Sequence, residues 1–188
     1  MSKKRLLIAV TGASGAVYAR ALLQRLRGMH EQAVISGVVL SDTAAAVWKH
    51  ELGTDPALDI PEWKHTNQDF WAPFASGSSA PDVMIIIPCS MGTLGRIAAG
   101  TAGELITRAA DVMLKERKRL ILVSRETPLN LIHLRNMVTL TEAGAIILPA
   151  SPSFYSRPET LDAAIATVTD RVLDLTGLDI RTYRWGGG

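Results

Sequence analysis

Apolar and polar positions follow one another in short blocks that predict strands and helices in alternation. Five apolar runs bounded by turn residues have the length of buried strands: residues 5–10, 33–40, 82–88, 120–123 and 145–148. Between these runs, apolar residues recur at helical spacing, as Leu22, Leu23 and Leu26 do after the first run. Strands that alternate with helices form a parallel sheet covered by helices on both faces.

This alternation predicts an α/β protein with three layers and a mostly parallel sheet. Both the Rossmann-like and the flavodoxin-like strand orders are compatible with it. Residues 52–81 contain several prolines and predict a long irregular connection, with room for a short strand or helix; in a compact domain such a connection is often functional. No repeat or composition shift divides the chain, so we expect residues 1–188 to form a single domain.

Helix boundaries are predicted from capping residues. We expect Asp42 to cap a helix over residues 43–51. The segment 156–159, Ser-Arg-Pro-Glu, has the form of a capping box and predicts the start of the last helix, which ends at Gly177. Two more helices are predicted over residues 104–117 and 129–140.

Composition restricts the kind of partner. The net charge of +2 is too small to indicate a nucleic acid or an anionic membrane surface as a partner. The single cysteine, Cys89, excludes an internal disulfide, and at the end of a strand it is expected to be a packed thiol. No stretch approaches the length of a membrane span, so a cytoplasmic location is expected.

The first predicted strand runs into a glycine turn, Thr11-Gly12-Ala13-Ser14-Gly15, and then into a helix. Backbone N–H groups at such a helix start favour an anion, usually phosphate. A tight turn that binds nothing is the alternative. The dinucleotide pattern lacks its first glycine, and neither a P-loop nor a nucleophile elbow is present.

Ligands of open α/β sheets bind at the carboxyl ends of the strands. Hydroxyls, one arginine and one carboxylate follow those ends here: Ser14, Ser41, Ser90, Thr93, Arg125, Glu126 and, further on, Tyr155. Together they predict a site for a polar ligand with a phosphate. Arg108 and Lys115 share a helical stripe that spacing alone assigns to solvent, and the four scattered histidines offer no metal-ligand spacing.

Several stretches resemble the UbiX-type flavin prenyltransferases. They are Thr-Gly-Ala-Ser-Gly-Ala at 11–16, Pro-Cys-Ser-Met-Gly-Thr-Leu at 88–94, Arg-Ala-Ala-Asp-Val-Met-Leu-Lys-Glu-Arg at 108–117, Arg-Glu-Thr-Pro at 125–128, and Phe154-Tyr155 with Arg171. The resemblance implies a flavoprotein domain that binds FMN and dimethylallyl monophosphate without a metal. It also implies a dodecamer with sites between subunits, and a UbiD-type decarboxylase as recipient of the prenylated FMN.

The resemblance also implies roles for individual residues. The expected FMN contacts are Gly12, Ala13, Ser14, Ser41, Ser90, Met91, Gly92, Thr93 and Arg125. The expected contacts to the allyl phosphate are Tyr155 and Arg171, with Lys115 and Arg108 beside them. The expected catalytic residues are Glu126, Glu51, Lys115 and Ser14, and Trp185 is an aromatic near the site.

The expected reaction joins the dimethylallyl group to N5 and C6 of reduced FMN. Cationic side chains neutralise the leaving phosphate, and Glu126 is the candidate general acid. One alternative is an FMN-dependent cysteine decarboxylase of the phosphopantothenoylcysteine type, whose histidine and Pro-x-Met-Asn segment are missing here. A non-catalytic flavin carrier is the other alternative, although it has no use for the allyl-phosphate residues.

Overall fold

A computed structural model of the protein describes residues 3–186 and contains one six-stranded sheet. The strands are β1 (Lys4–Val10), β2 (Ala33–Leu40), β3 (Trp63–His65), β4 (Val83–Cys89), β5 (Arg119–Ser124) and β6 (Ile146–Pro149). Every neighbouring pair is parallel, in the order β3-β2-β1-β4-β5-β6. This is the Rossmann strand order, so the predicted three-layer α/β fold is confirmed and the choice between strand orders is settled.

Residues 3–186 contain seven helices, six of them between strands and one after the last strand. They are α1 (Ala16–Arg27), α2 (Asp42–Leu52), α3 (Pro56–Asp59), α4 (Met91–Ala98), α5 (Leu105–Lys115), α6 (Leu131–Glu142) and α7 (Leu161–Thr176). Short 3-10 turns at Pro73–Ala75 and Gly77–Ser79 precede β4. None of the helices in residues 3–186 is long and apolar enough to cross a membrane.

Alternate residues of β1 supply the two cores of the molecule. Leu6 and Ile8 face a core completed by α1, α2 and α7, whereas Leu7 and Ala9 face a core completed by α4, α5 and α6. All four side chains are fully buried. A central strand buried on both faces explains the unbroken apolar run in the sequence.

The chain reverses its direction of travel across the sheet between β1 and β4. From β1 it moves outward through β2 and β3, then returns to β4 and moves outward on the other side. Such a switch point opens a crevice beyond the carboxyl ends of the two central strands. Thr11 joins these ends, because its hydroxyl donates to the Pro88 carbonyl at 2.7 Å and accepts from the Ser90 amide at 2.8 Å.

The number of strands and the start of two helices differ from the prediction. The sheet has six strands instead of five, because the irregular connection contains β3, which pairs with the edge of β2. Ser41 instead of Asp42 is the N-cap of α2, since Asp42 already lies in the first helical turn. The last helix is capped by Thr160, whose side chain accepts from the Ala163 amide.

The predicted capping box over residues 156–159 is wrong for a local reason. Arg157 has a φ of 53°, in the left-handed region, and its amide donates to the Phe154 carbonyl at 3.0 Å. The segment therefore closes a turn of its own and cannot start a helix. The predicted end at Gly177 is confirmed, with a left-handed φ of 73°.

Candidate active site

A polar crevice of about 370 Å³ lies at the switch point between β1 and β4. Four residues predicted to contact FMN line it: Gly12, Ser41, Ser90 and Thr93. Loops after β1, β2 and β4 therefore converge here, as the rule for parallel sheets predicts. The crevice is lined mainly by hydroxyls and carboxylates, with one cation, so it suits a polar ligand.

The start of α4 forms one wall of the crevice. The Ser90 hydroxyl caps the helix by accepting from the Thr93 amide at 3.3 Å. The amides of Met91 and Gly92 have no acceptor among residues 3–186. Two unpaired N–H groups at the positive end of a helix dipole are suited to an anion.

On the opposite side of the crevice, Gly12 allows the turn after β1 to approach the start of α2 closely. A Cβ atom at this position would collide with the side chain of Thr43, at the start of α2. The backbone of the turn and the start of α2 can therefore approach each other only if residue 12 is glycine. Gly15 is required for a different reason, since its φ of 116° is unfavourable for other residues.

The start of α1 is occupied by a carboxylate of the protein itself. Glu51 accepts from the Gly15 amide at 2.9 Å and from the Ala16 amide at 2.8 Å. The sequence predicted a phosphate at these donors, so the structure differs on this point. The anion that the helix dipole attracts comes from α2, so these two amides are not free to bind an external phosphate.

Glu51 is electrostatically coupled to the turn. Partial burial would raise the pKa of the Glu51 carboxyl, but hydrogen bonds from Ser14 and from the Gly15 and Ala16 amides, together with the charge of Arg125, lower it overall. Arg125 also donates from Nε to the Ser14 carbonyl at 3.0 Å. Glu51, Ser14 and Arg125 thus form one cluster, with Glu51 ionised at neutral pH.

Glu126 follows Arg125 at the end of β5 and is exposed. Its carboxylate accepts from the Thr127 amide at 3.1 Å.

Cys89, at the end of β4, is fully buried, and burial raises the pKa of its thiol to about 12. The expectation of a packed thiol at Cys89 is confirmed, because a thiol with this pKa is protonated at neutral pH.

Arg108 and Lys115 lie on α5 and are not among the residues that line the crevice. α5 runs back from the carboxyl edge of the sheet, so Lys115 lies near the amino end of β5. Arg108 donates from Nε to the Ala75 carbonyl at 3.1 Å, and a Cβ at Gly77 would lie 2.7 Å from Lys115 Nζ. Both cations therefore lie beside the 3-10 turns before β4.

Tyr155, Arg171 and Trp185 form a third group around α7. The rings of Tyr155 and Trp185 meet edge to face, with centroids 4.9 Å apart. Arg171 and Trp185 line a hollow of about 610 Å³ between α7 and the C-terminal segment. Arg171 donates to Asp174 at 2.6 Å. This hollow is larger than the crevice and shares no lining residue with it.

Several crevice residues were not predicted from the sequence. Gln68 comes from the irregular connection, and Arg96 and Glu104 flank the end of α4. Arg96 lies three residues after Thr93 and so on the same face of α4, a spacing that can be recognised in the sequence. No sequence signal places Gln68 there, because its position depends on how the loop folds.

The strand order and the switch-point crevice, with two unpaired amides in its wall, are typical of nucleotide-binding α/β proteins. A model of the family described as Flavoprotein matches residues 1–176. The flavin prenyltransferase UbiX of Methanocaldococcus jannaschii is 40% identical over 192 residues, covering 97% of this chain and 98% of the relative.

Two solved structures are also similar to the chain. AnUbiX, in complex with FMN and dimethylallyl pyrophosphate, has a TM-score of 0.91 at 42% identity and covers 98% of this chain and 100% of its own. A dodecameric FMN-dependent UbiX-like decarboxylase from Escherichia coli O157:H7 has a TM-score of 0.90 at 42% identity, covering 96% and 99%. The chain belongs to the Flavoprotein family and, within it, to the UbiX-type flavin prenyltransferases.

Proposed function

We propose that the protein transfers the dimethylallyl group of dimethylallyl monophosphate to N5 and C6 of reduced FMN, which produces prenylated FMN. The observation that carries this proposal is the polar crevice at the switch point, in a chain that shares about 40% of its residues with flavin prenyltransferases. The structure of AnUbiX, with 42% identity, is a complex with FMN and dimethylallyl pyrophosphate. Residues 1–188 then act as one FMN-binding domain.

The crevice fits FMN. Its hydroxyls at Ser41, Ser90 and Thr93 and the unpaired amides of Met91 and Gly92 are suited to the phosphate and the ribityl chain. We assign Ala13, Ser14 and Arg125, which belong to the loops after β1 and β5, to the ring system, since Arg125 donates to the Ser14 carbonyl and so joins these two loops. When bound, reduced FMN supplies the nucleophilic nitrogen, so no protein nucleophile is needed.

Glu51 and Glu126 are assigned different catalytic roles. Glu51 is ionised and accepts hydrogen bonds from two amides and from Ser14, so we assign it the role of holding the turn and the Ser14 hydroxyl in position beside the ligand. Glu126 is exposed and bonded to only one amide, so it is our candidate for the general acid that assists the leaving phosphate.

Lys115, Arg171, Tyr155 and Arg108 are proposed to hold the donor phosphate. Positive charge beside the breaking C–O bond stabilises the charge that develops on the phosphate. Within one chain, these residues lie in two groups away from the crevice. The proposal therefore requires other subunits to bring them to the flavin, with Trp185 and Tyr155 shielding the allyl group from water.

An oligomer is also supported by the surface of α6. Leu131, Ile132 and Val138 are each more than half exposed on this helix, and an apolar face of this kind is typical of a subunit interface. The dodecameric relative from Escherichia coli makes a dodecamer the proposed assembly. A UbiD-type decarboxylase as the recipient of the product, and a cytoplasmic location, stay predictions.

Anaerobic incubation with reduced FMN and a prenyl donor tests the proposal. Mass spectrometry is expected to show a flavin heavier by one five-carbon unit, without added metal. Dimethylallyl monophosphate and pyrophosphate are compared as separate donors. Unmodified FMN in every reaction would favour a flavin carrier, and release of carbon dioxide from phosphopantothenoylcysteine would favour the cysteine decarboxylase.

A further inference from the structure

Arg96 is the one cationic side chain among the residues that line the crevice. Two carboxylates, those of Asp42 and Glu104, line the same space. A phosphate dianion entering without Arg96 would meet hydroxyls, amides and two negative charges. Helix dipoles and neutral donors are weaker partners for a dianion than a guanidinium is. The local charge balance therefore gives Arg96 a role that the hydroxyls cannot supply.

The guanidinium of Arg96 lies over the start of α4. Its Nη2 donates to the Thr93 hydroxyl at 3.3 Å. A Cβ at Gly92 would lie 3.7 Å from its Nη1, so that nitrogen lies close above Gly92. The Gly92 amide has no acceptor within the described residues. A guanidinium N–H and a backbone N–H thus lie side by side, which is the arrangement that binds a phosphate oxygen pair.

An ion pair holds the Arg96 side chain in place, but not all of its N–H donors are used. Its Nε lies 3.2 Å from Glu104 Oε1, yet in residues 3–186 this nitrogen has no correctly aligned hydrogen-bond acceptor. The ion pair therefore orients the side chain and leaves donors for a ligand. Since 41% of the Arg96 side chain is exposed, an incoming ligand can reach it.

Glu104 is itself fixed by the irregular connection. Asn67 is buried, donates to Glu104 Oε2, and accepts from the Ile106 amide at 3.1 Å. The Asn67 carbonyl also accepts from the Leu105 amide at 2.8 Å. Asn67 therefore fixes Glu104, and Glu104 in turn orients Arg96. The irregular connection before β4 thus positions the arginine at the crevice.

We infer that Arg96 binds the phosphate of FMN and makes the protein prefer FMN over riboflavin, with Glu104 as its positioning residue. This inference rests on the proposed function, because it assumes that the crevice holds FMN. It assigns a specificity role to a side chain that the sequence motifs do not include.

Flavin binding by the oligomeric apoprotein tests the inference. The Kd values for FMN and riboflavin are measured for the unmodified protein, Arg96→Gln and Arg96→Lys. Arg96→Gln is expected to weaken FMN binding about ten- to a hundredfold, as the loss of a charge-assisted hydrogen bond does. Riboflavin binding is expected to change less than about twofold, because riboflavin lacks the phosphate. Arg96→Lys, which keeps the charge, should lie between.

Arg27→Gln is the matched control. Arg27 pairs with Glu62 at 2.7 Å at the opposite end of α1, so this variant also loses one arginine–glutamate pair. It should bind both flavins normally. An equal loss of FMN and riboflavin in Arg96→Gln would mean that Arg96 is only structural, and unchanged FMN binding would refute the inference while leaving the proposed function intact. If the unmodified protein binds neither flavin, the proposed function fails as well.

Discussion

The flavin crevice and the residues proposed for the prenyl donor are built in different ways. Within one chain, three loops of the sheet assemble the crevice, and buried or hydrogen-bonded groups such as Thr11 and Glu51 hold it together. The donor residues lie in two separate groups, on α5 and around α7, and the cations Lys115 and Arg171 are exposed. Under the proposed function, one chain therefore folds the flavin half of the site, whereas the donor half depends on assembly.

The largest expected effect separates chemistry from flavin binding. Glu126→Gln should slow prenyl transfer by about 10²–10⁴-fold, because it removes the proposed general acid while keeping the side-chain size. FMN affinity should stay unchanged, since Glu126 does not line the crevice. Product formation by mass spectrometry and FMN titration measure the two quantities. Glu31→Gln, at an exposed glutamate, is the control, and loss of bound flavin in Glu126→Gln would make that residue structural.

Lys115→Ala tests the donor half of the comparison. We expect a loss of about 10²–10³-fold in prenyl transfer, because a cation at the leaving phosphate is removed. FMN should still bind. Lys118→Ala is the control, since Lys118 is a neighbouring exposed lysine paired with Asp82 at 3.6 Å. Transfer at the normal rate in Lys115→Ala would remove the lysine from the mechanism and revive the carrier hypothesis.

A mixture of these two variants tests whether the halves come from different subunits. Co-expressed Glu126→Gln and Lys115→Ala chains form some sites with an intact glutamate from one chain and an intact lysine from another. Their activity should rise well above that of either variant alone. If the mixture is no more active than the separate variants, Lys115 and Glu126 of the same chain serve one site.

Gly12→Ala should damage the flavin half. Its Cβ would collide with Thr43, so the turn after β1 and the start of α2 must move apart. Overpacking of this kind costs about 1–3 kcal/mol of the free energy of unfolding, and FMN binding should weaken with it. Gly103→Ala is the control, because no atom lies within 4 Å of its added Cβ. Denaturant unfolding of both variants measures the difference, and equal stability would show that the close approach is not needed.

The sequence predicted the sheet better than it predicted the site. β2 was placed at residues 33–40, as observed, because long runs of buried Val, Ile and Leu are a strong signal. A short strand within residues 52–81 is allowed by the sequence, but β3 cannot be located there, because three residues with polar neighbours give no periodicity and pairing with β2 decides their conformation. The contact between Glu51 and the start of α1 joins residues 36 positions apart, so local patterns could not show it.

The smallest predicted effect is on thermal stability. It concerns the contact between Glu51 and the start of α1, and it depends on pH. The pKa of Glu51 is lowered in the folded protein from an ordinary value of 4.5, so its ionised form stabilises the fold at pH values above 4.5. This contribution is lost as the pH falls through the folded-state pKa. Because Glu51 is partly exposed, Glu51→Gln should lower Tm by no more than about 2–4 °C at pH 7. The difference between the two proteins should shrink below pH 4.5. Thermal unfolding at a series of pH values measures it, and a difference that stays constant into acid would show that the Glu51 charge does not stabilise the turn.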